Sequence, residues 1–153
     1  MIIRLRAHHL LCLLTFVGKG YNPAFAASYR RIVARLDEGE VIELVDGPDD
    51  ICAPMLGEPD HHCRNASVTV RDAQARVDIA RLLGRPLEPG RPLALTAERI
   101  TRMRAAFAAG DIRVACAGCQ WSAFCTEIAA QGFAQALLTG SRLSLPGGCG
   151  TPD

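Results

Sequence analysis

The first third of the chain alternates short apolar stretches with a segment of helical spacing. Residues 1–6 alternate apolar and basic side chains, which predicts a short edge strand. Residues 8–16 are mostly apolar and predict a short buried helix that ends at a glycine-rich turn. Asn22 followed by Pro23 combines an N-cap with a proline at the first helical position, so a longer helix is expected to begin there. Residues 41–45 have the β-branched alternation of a second strand.

A long loop and another helix follow. Residues 49–66 show no periodicity and contain two prolines, two histidines and two cysteines, which is typical of a functional loop or of a loop organised by a metal. Ser67 or Thr69 is the expected cap of a helix that runs to Leu83. A glycine directly after Leu83 marks the predicted end of that helix.

The last part of the chain predicts two helices around a short strand and a cysteine-rich turn. Thr96 caps a helix that Gly110 terminates. Residues 112–115 predict a short strand, and residues 126–138 have the spacing of a further amphipathic helix.

The predicted elements define the expected fold class. About five helices with a few short strands between them indicate a helix-rich α+β fold, with a cysteine-bearing loop and a knuckle at residues 116–125. At 153 residues a single domain is expected, and we place it at residues 1–140. Residues 141–153 are rich in glycine and proline and predict a flexible tail.

The charge balance argues against two classes of partner. Seventeen basic residues against sixteen acidic ones give a formal net charge of +1, so no field favours nucleic acid or an anionic membrane. No apolar stretch in the sequence approaches the ~20 residues that a membrane-spanning helix needs. Residues 4–26 resemble a signal peptide, but Lys19 and two glycines interrupt the stretch, so we expect a cytoplasmic protein.

Seven cysteines are the unusual feature of the composition, because clustered cysteines in a chain that is not exported indicate metal ligands or redox groups. Cys116 and Cys119 stand three apart, a spacing at which two thiolates bind one ion, and Cys125 can reach the same centre if the segment folds back. Trp121 and Phe124 lie between them and could shield the site from water. A redox dithiol of the thioredoxin type is the alternative interpretation.

The aperiodic loop is a second candidate source of ligands, since it contains Cys52 and Cys63 together with His61 and His62. Closing the chain between the loop and the knuckle costs about 3–4 kcal/mol, whereas a filled thiolate site contributes on the order of 10–16 kcal/mol. Convergence of the two segments on one metal is therefore energetically feasible. Cys12 stands in a run of leucines, where a cysteine is typically a small buried hydrophobe.

Several motifs occur in the order found in a known family. They are Arg6-Ala7-His8-His9-Leu10-Leu11-Cys12, Gly18-Lys19-Gly20-Tyr21, Gly47-Pro48-Asp49-Asp50-Ile51-Cys52 and the knuckle pattern Cys-x2-Cys-x-Trp-x3-Cys. Over residues 4–128 the chain resembles the bacterial and archaeal proteins of domain-of-unknown-function family 1284 (DUF1284). The resemblance implies an iron–sulfur centre and six cysteines that correspond to family cysteines: Cys12, Cys52, Cys63, Cys116, Cys119 and Cys125.

The chain departs from the family pattern at one position. In the family pattern a cysteine followed by proline usually stands three residues after the one at Cys52, and here those positions are Met55 and Leu56. If the loop holds its own site in the relatives, this chain lacks one ligand, and His61 or His62 is the available substitute. The departure leaves the knuckle cysteines unaffected.

The leading hypothesis is an iron–sulfur protein with an electron-transfer or redox-sensing role and a redox partner protein. Cys116, Cys119 and Cys125 would hold the cluster together with one of Cys52 or Cys63. The alternative is a structural zinc-binding module that presents an interaction surface and has no catalytic activity.

The sequence is also compatible with a catalytic function. A third hypothesis is an enzyme that uses His8 or His9 with Asp49 and Asp50 beside the metal, although acidic residues in a turn are usually only solvated. No pattern identifies a catalytic residue, a substrate or an oligomeric state.

Overall fold

The computed structural model describes residues 2–18, 22–47, 49–52, 66–117, 119 and 121–139. Within them lie five α-helices, one 3₁₀ helix and a small three-stranded sheet, which confirms the predicted helix-rich α+β class. In chain order the elements are β1 (Ile2–Leu5), α1 (Ala7–Thr15), α2 (Pro23–Asp37), β2 (Val41–Leu44), α3 (Ala66–Leu83), β3 (Pro92–Leu93), α4 (Ala97–Ala109), the 3₁₀ helix (Val114–Cys116) and α5 (Ser122–Ala130).

The sheet is built around β2. β1 pairs with β2 in parallel, with Ile2 opposite Val41, and β3 pairs with β2 in the antiparallel direction. α1 and α2 form the crossover between the two parallel strands. The strands predicted at residues 1–6 and 41–45 are confirmed as β1 and β2. β3 has only two residues, which is too few for an alternation pattern to appear in the sequence.

Helix α1 lies at the centre of the fold and packs against α3, α4 and α5. Its four leucines are almost completely enclosed, as expected for a helix that is apolar over most of its surface: Leu10, Leu11, Leu13 and Leu14. Burial of one leucine side chain contributes about 1.5–3 kcal/mol, so together they fix α1 between its neighbours. The polar side chains of α1 consequently face other segments of the chain.

The predicted helix boundaries are confirmed where a capping residue marks them. Asn22 Oδ1 accepts a hydrogen bond from Phe25 N at 2.8 Å, and Thr96 Oγ1 accepts one from Arg99 N at 3.2 Å. α4 ends at Gly110, whose φ of +85° lies in the left-handed region that favours glycine.

The strand predicted at residues 112–115 is wrong. Ile112 and Ala115 are buried three positions apart, whereas Val114 between them is 60% exposed. A spacing of three belongs to a 3₁₀ turn and not to a strand, in which buried residues alternate. The chain accordingly forms the 3₁₀ helix at this position.

Two helix boundaries also differ from the prediction. α3 begins at Ala66, ahead of both expected caps, because serine and threonine within a first helical turn resemble capping residues in the sequence. α5 begins before residue 126 and ends at Ala130, so it is displaced towards the N-terminus from the predicted range 126–138. Gly132 and Phe133 follow it with positive φ values, which an α-helix cannot accommodate.

Several predicted features lie outside the described residues. They are the tail at 141–153 with the domain boundary at 140, and the loop residues Met55, Leu56, His61, His62 and Cys63. In the part of the chain that the structure does describe, no helix combines the length and the apolar character needed to cross a membrane.

Candidate metal centre beside the first helix

Helix α1 presents a polar flank formed by His8, Cys12 and Thr15, and His9 adjoins it. These positions follow the i, i+4, i+7 spacing that places side chains on one side of an α-helix. The buried leucines occupy the remaining surface. The sequence of α1 therefore brings imidazole, thiol and hydroxyl groups onto one line.

At the first turn of α1, Asp72 of α3 binds both His8 and Arg6. His8 Nδ1 donates to Asp72 Oδ1 at 2.7 Å, and the His8 amide donates to the same oxygen at 3.1 Å. Arg6 Nε donates to Asp72 Oδ2 at 2.7 Å. The Arg6 side chain is 1% exposed, so this ion pair is shielded from solvent and connects α1 to α3.

Burial and the surrounding charges set the protonation of His8 and Asp72. Burial, followed by the charge of His9, lowers the pKa of His8 to about 4 and outweighs the attraction of Asp72. Burial opposes ionisation of Asp72, but hydrogen bonds from His8 and Arg6 lower the pKa of its carboxyl. At neutral pH His8 is therefore an uncharged imidazole that donates from Nδ1 to an ionised carboxylate, so its Nε2 retains a lone pair.

A second carboxylate, Asp49, holds the other histidine. Asp49 Oδ2 accepts hydrogen bonds from His9 Nδ1 and from the Arg6 amide, both at 2.7 Å. Asp49 Oδ1 accepts one from the Cys52 amide at 3.0 Å. Burial disfavours the charged form of Asp49, but the charge of His9 and these hydrogen bonds lower the pKa of the carboxyl. Asp49 therefore ties the turn at residues 49–52 to the beginning of α1.

Cys52 completes a compact group with these two residues. We name His9, Asp49 and Cys52 the mixed-donor group, because it offers nitrogen, oxygen and sulfur. One ligand atom of each residue lies within 4.8 Å of the others, so the group could hold a metal ion. In the described part of the chain, no other set of three or more His, Cys, Asp or Glu side chains is gathered as tightly.

Four cysteines lie near one another beside the second half of α1, and we name them the four-thiol group: Cys12, Cys116, Cys119 and Cys125. Burial raises the pKa of the Cys12 thiol well above its ordinary value, and the charges of the other three thiols and of Asp49 add to the rise. Burial likewise raises the pKa of Cys125, with further contributions from Cys116 and Cys119. The four thiols are therefore in electrostatic contact, and the four residues that carry them are each partly exposed.

Local structure brings the three knuckle cysteines together. Cys116 ends the 3₁₀ helix, and the following turn closes when Cys119 N donates to Cys116 O at 3.0 Å. Ser122 N then donates to Cys119 O at 3.1 Å, and α5 carries Cys125 in its first turn. These hydrogen bonds turn the chain between Cys116 and Cys125, which is the condition for Cys125 to reach a centre shared with Cys116 and Cys119.

Hydrogen-bond donors and a cation lie against the four-thiol group. Thr15 Oγ1 donates to Cys125 Sγ at 3.1 Å. Burial raises the pKa of Cys116, and a hydrogen bond from Arg113 partly offsets that rise. Arg113 is held in place because its guanidinium donates to Ser122 O at 3.0 Å. Both neighbours stabilise negative charge on sulfur, which is the form that binds metals.

The predicted ligand cysteines fall into different places. Cys116, Cys119 and Cys125 share one neighbourhood, whereas Cys52 lies in the mixed-donor group. Cys63 lies outside the described residues. Their assignment as metal ligands stays a prediction.

Sequence reasoning missed the partners that reach the site from other segments. The leucines around Cys12 suggest a buried hydrophobe, yet its thiol lies beside the knuckle, and the helical spacing from His8 to Cys12 was the available signal. Arg6 and Asp72 gave no signal, because a pairing between the end of a strand and a distant helix leaves no pattern in the sequence. Thr15 gave no signal for the same reason, since its partner Cys125 is distant in the sequence.

Comparison with known proteins identifies the family. The family model described as "Protein of unknown function (DUF1284)" matches residues 20–125, which is most of the chain. The chain belongs to the DUF1284 family. This confirms the family resemblance drawn from the motifs, and the DUF1284 match includes the 49–52 turn and the whole knuckle. No curated protein and no solved structure matches this DUF1284 chain.

Proposed function

We propose that this DUF1284 protein binds an iron–sulfur cluster through the four-thiol group and uses it for electron transfer or redox sensing. The observation that carries the proposal is the position of Cys12, which lies beside the three knuckle thiols from the opposite end of the chain. Iron–sulfur clusters are typically held by four cysteine thiolates. The donor set fits that requirement in number and in kind, with Cys12 in the place that the sequence led us to expect for Cys52 or Cys63.

Positive charge near the thiols supports an anionic centre. Gathering four thiolates concentrates negative charge, and neighbouring cations lower the free-energy cost of doing so. Arg113 stabilises the charged forms of Cys116 and Cys125, and Arg71 acts on Cys116 as well. The hydroxyl of Thr15 adds a hydrogen bond to sulfur, and such bonds tune the reduction potential of a cluster.

Partial exposure of the four-thiol group suits a role in electron transfer or sensing. None of its four cysteines is completely enclosed, so the centre lies close to the surface. A redox partner protein can then approach it, and the exposure itself contributes to the reduction potential.

The test is the iron and acid-labile sulfide content of protein prepared without oxygen, together with an absorption spectrum. We expect brown wild-type protein that contains both iron and sulfide and has broad visible absorbance. The Cys116→Ser/Cys119→Ser variant should lose iron, sulfide and colour together.

Substitution of Cys52 serves as the matched control, since Cys52 lies outside the four-thiol group. Cys52→Ser should retain iron and sulfide near the wild-type level. A colourless wild-type protein that contains zinc in place of iron and sulfide would contradict the proposal and would favour the structural zinc module.

A further inference from the structure

The mixed-donor group shares no residue with the proposed cluster ligands, and we infer that it is a second metal site that takes one divalent cation of the zinc type. His9 comes from the first turn of α1, and Asp49 and Cys52 come from the turn after β2. The site is thus formed where two segments meet. None of its three donors belongs to the four-thiol group.

The distances suit a single small cation. Ligands of a tetrahedral cation with bonds of ~2.0–2.3 Å lie about 3–4 Å apart. The donor atoms of the mixed-donor group lie within 4.8 Å of one another, so a side-chain shift of about 1 Å would bring them to one centre. His9 Nδ1 and Asp49 Oδ2 already stand 2.7 Å apart, and a cation between them would replace the shared proton, which is released.

The donor set identifies the class of cation. Imidazole, thiolate and carboxylate are all zinc ligands, whereas magnesium and calcium take oxygen donors only. Three protein ligands leave a fourth position for water or substrate, as in catalytic zinc sites and unlike closed structural ones. The side chain of Asp49 is 0% exposed and that of His9 is 12% exposed, so solvent reaches the group from the His9 side.

Hydrogen bonds position the donors in advance. Asp49 accepts the amides of Cys52 at 3.0 Å and of Arg6 at 2.7 Å, which fixes its carboxylate relative to both segments. The Arg6 guanidinium hydrogen-bonds the Cys52 thiol, and Asp72 holds that guanidinium from the other side. A guanidinium beside a thiol stabilises the thiolate, which is the metal-binding form.

The test is a Co²⁺ titration of the Cys116→Ser/Cys119→Ser variant, in which the four-thiol group is disabled. We expect about one Co²⁺ per chain, with thiolate-to-cobalt charge-transfer absorption in the near ultraviolet. Adding His9→Gln or Cys52→Ser should weaken Co²⁺ binding at least about tenfold. Asp50→Asn is the matched control, since Asp50 is not a member of the group and accepts an exposed hydrogen bond from the Arg4 amide, and it should leave the affinity unchanged.

X-ray absorption of Co²⁺ bound to the same variant gives a measurement that needs no further substitution, and it should report one sulfur among the ligands. Absence of Co²⁺ binding, or a Co²⁺ site without sulfur, would overturn the inference and leave Asp49 as a hydrogen-bonded anchor only. Iron and sulfide in the wild-type protein are measured separately, so failure of the second site and failure of the cluster proposal are distinguishable.

Discussion

The two donor groups lie along one short helix, but they differ in chemistry and in construction. The four-thiol group offers only sulfur, and its neighbours are a hydroxyl and cations that stabilise thiolates. The mixed-donor group offers three different donor atoms, and backbone amides fix its central carboxylate. The charge of Asp49 also raises the pKa of Cys12, so the two groups are close enough to influence each other.

This difference predicts which of the two groups contributes to the stability of the metal-free fold. In the described part of the chain the side chains of Thr15 and Arg113 contact these thiols, so we expect removal of the thiols to abolish metal binding and to spare the metal-free fold. Asp49 joins the 49–52 turn to the beginning of α1 through two hydrogen bonds, and a third, from the Cys52 amide, lies within the turn. Its removal should destabilise the protein whether or not a metal is bound.

Replacement of Cys12 should give the largest effect, because it removes the fourth proposed cluster ligand. Cys12→Ala is expected to lower iron and sulfide content at least about tenfold relative to Cys52→Ala, measured on protein prepared without oxygen. Equal iron content in the two variants would show that Cys12 is not a cluster ligand. It would also contradict the division of the donors into two groups.

Replacement of Asp49 should give the largest loss of stability. Asp49→Ala removes the acceptor of two buried hydrogen bonds and one part-buried one, so the free energy of unfolding of metal-free protein should fall by about 3–5 kcal/mol in urea denaturation. Asp50→Ala is the matched control: Asp50 accepts one exposed hydrogen bond from the Arg4 amide, and its loss should cost less than about 1 kcal/mol. A similar loss in both variants would mean that Asp49 is not the anchor.

Acid should destabilise the metal-free protein through His8. Its pKa is 6.5 in the unfolded chain and about 4 in the fold, so between these values the unfolded state binds a proton that the folded state does not. The free energy of unfolding should therefore decrease as the pH falls from 6.5 to about 4, by about 3 kcal/mol in total.

In His8→Gln the free energy of unfolding should change less between pH 6.5 and about 4, since glutamine does not titrate. At still lower pH both proteins should lose further stability. The pKa values of Asp49 and Asp72 are lowered in the fold, so protonating them opposes folding. A profile that is as steep in His8→Gln as in the wild type would contradict the role given to His8.

Replacement of Thr15 should give the smallest effect. Thr15→Val removes the hydrogen bond to Cys125 Sγ, so we expect a loss of about 1 kcal/mol in stability, with a more negative reduction potential if a cluster is bound. Thr101→Val removes an exposed bond to Ala97 O within α4 and should change neither quantity. An unchanged reduction potential in Thr15→Val would show that Thr15 does not act on the cluster.

Local patterns predicted the elements that local forces determine. Asn22, Thr96 and Gly110 act through backbone groups within four residues, so their positions in the sequence are enough to place helix boundaries. The three knuckle cysteines were also predictable as a group, because one turn brings them together. The strand predicted at 112–115 was wrong, since burial at every third residue and burial at every second one are hard to distinguish in four residues.

The sequence by itself determined the helix-rich α+β class, the central apolar helix and the cysteine knuckle, because each depends on contacts between neighbours in the chain. Only the tertiary structure decided that Cys12 lies beside the knuckle and that Asp49 and Asp72 hold the two histidines. The physical reason is that these hydrogen bonds and charge interactions join residues that are close in space but far apart in the sequence. The packing of α1 between α3 and the knuckle sets those distances, and no local pattern records it.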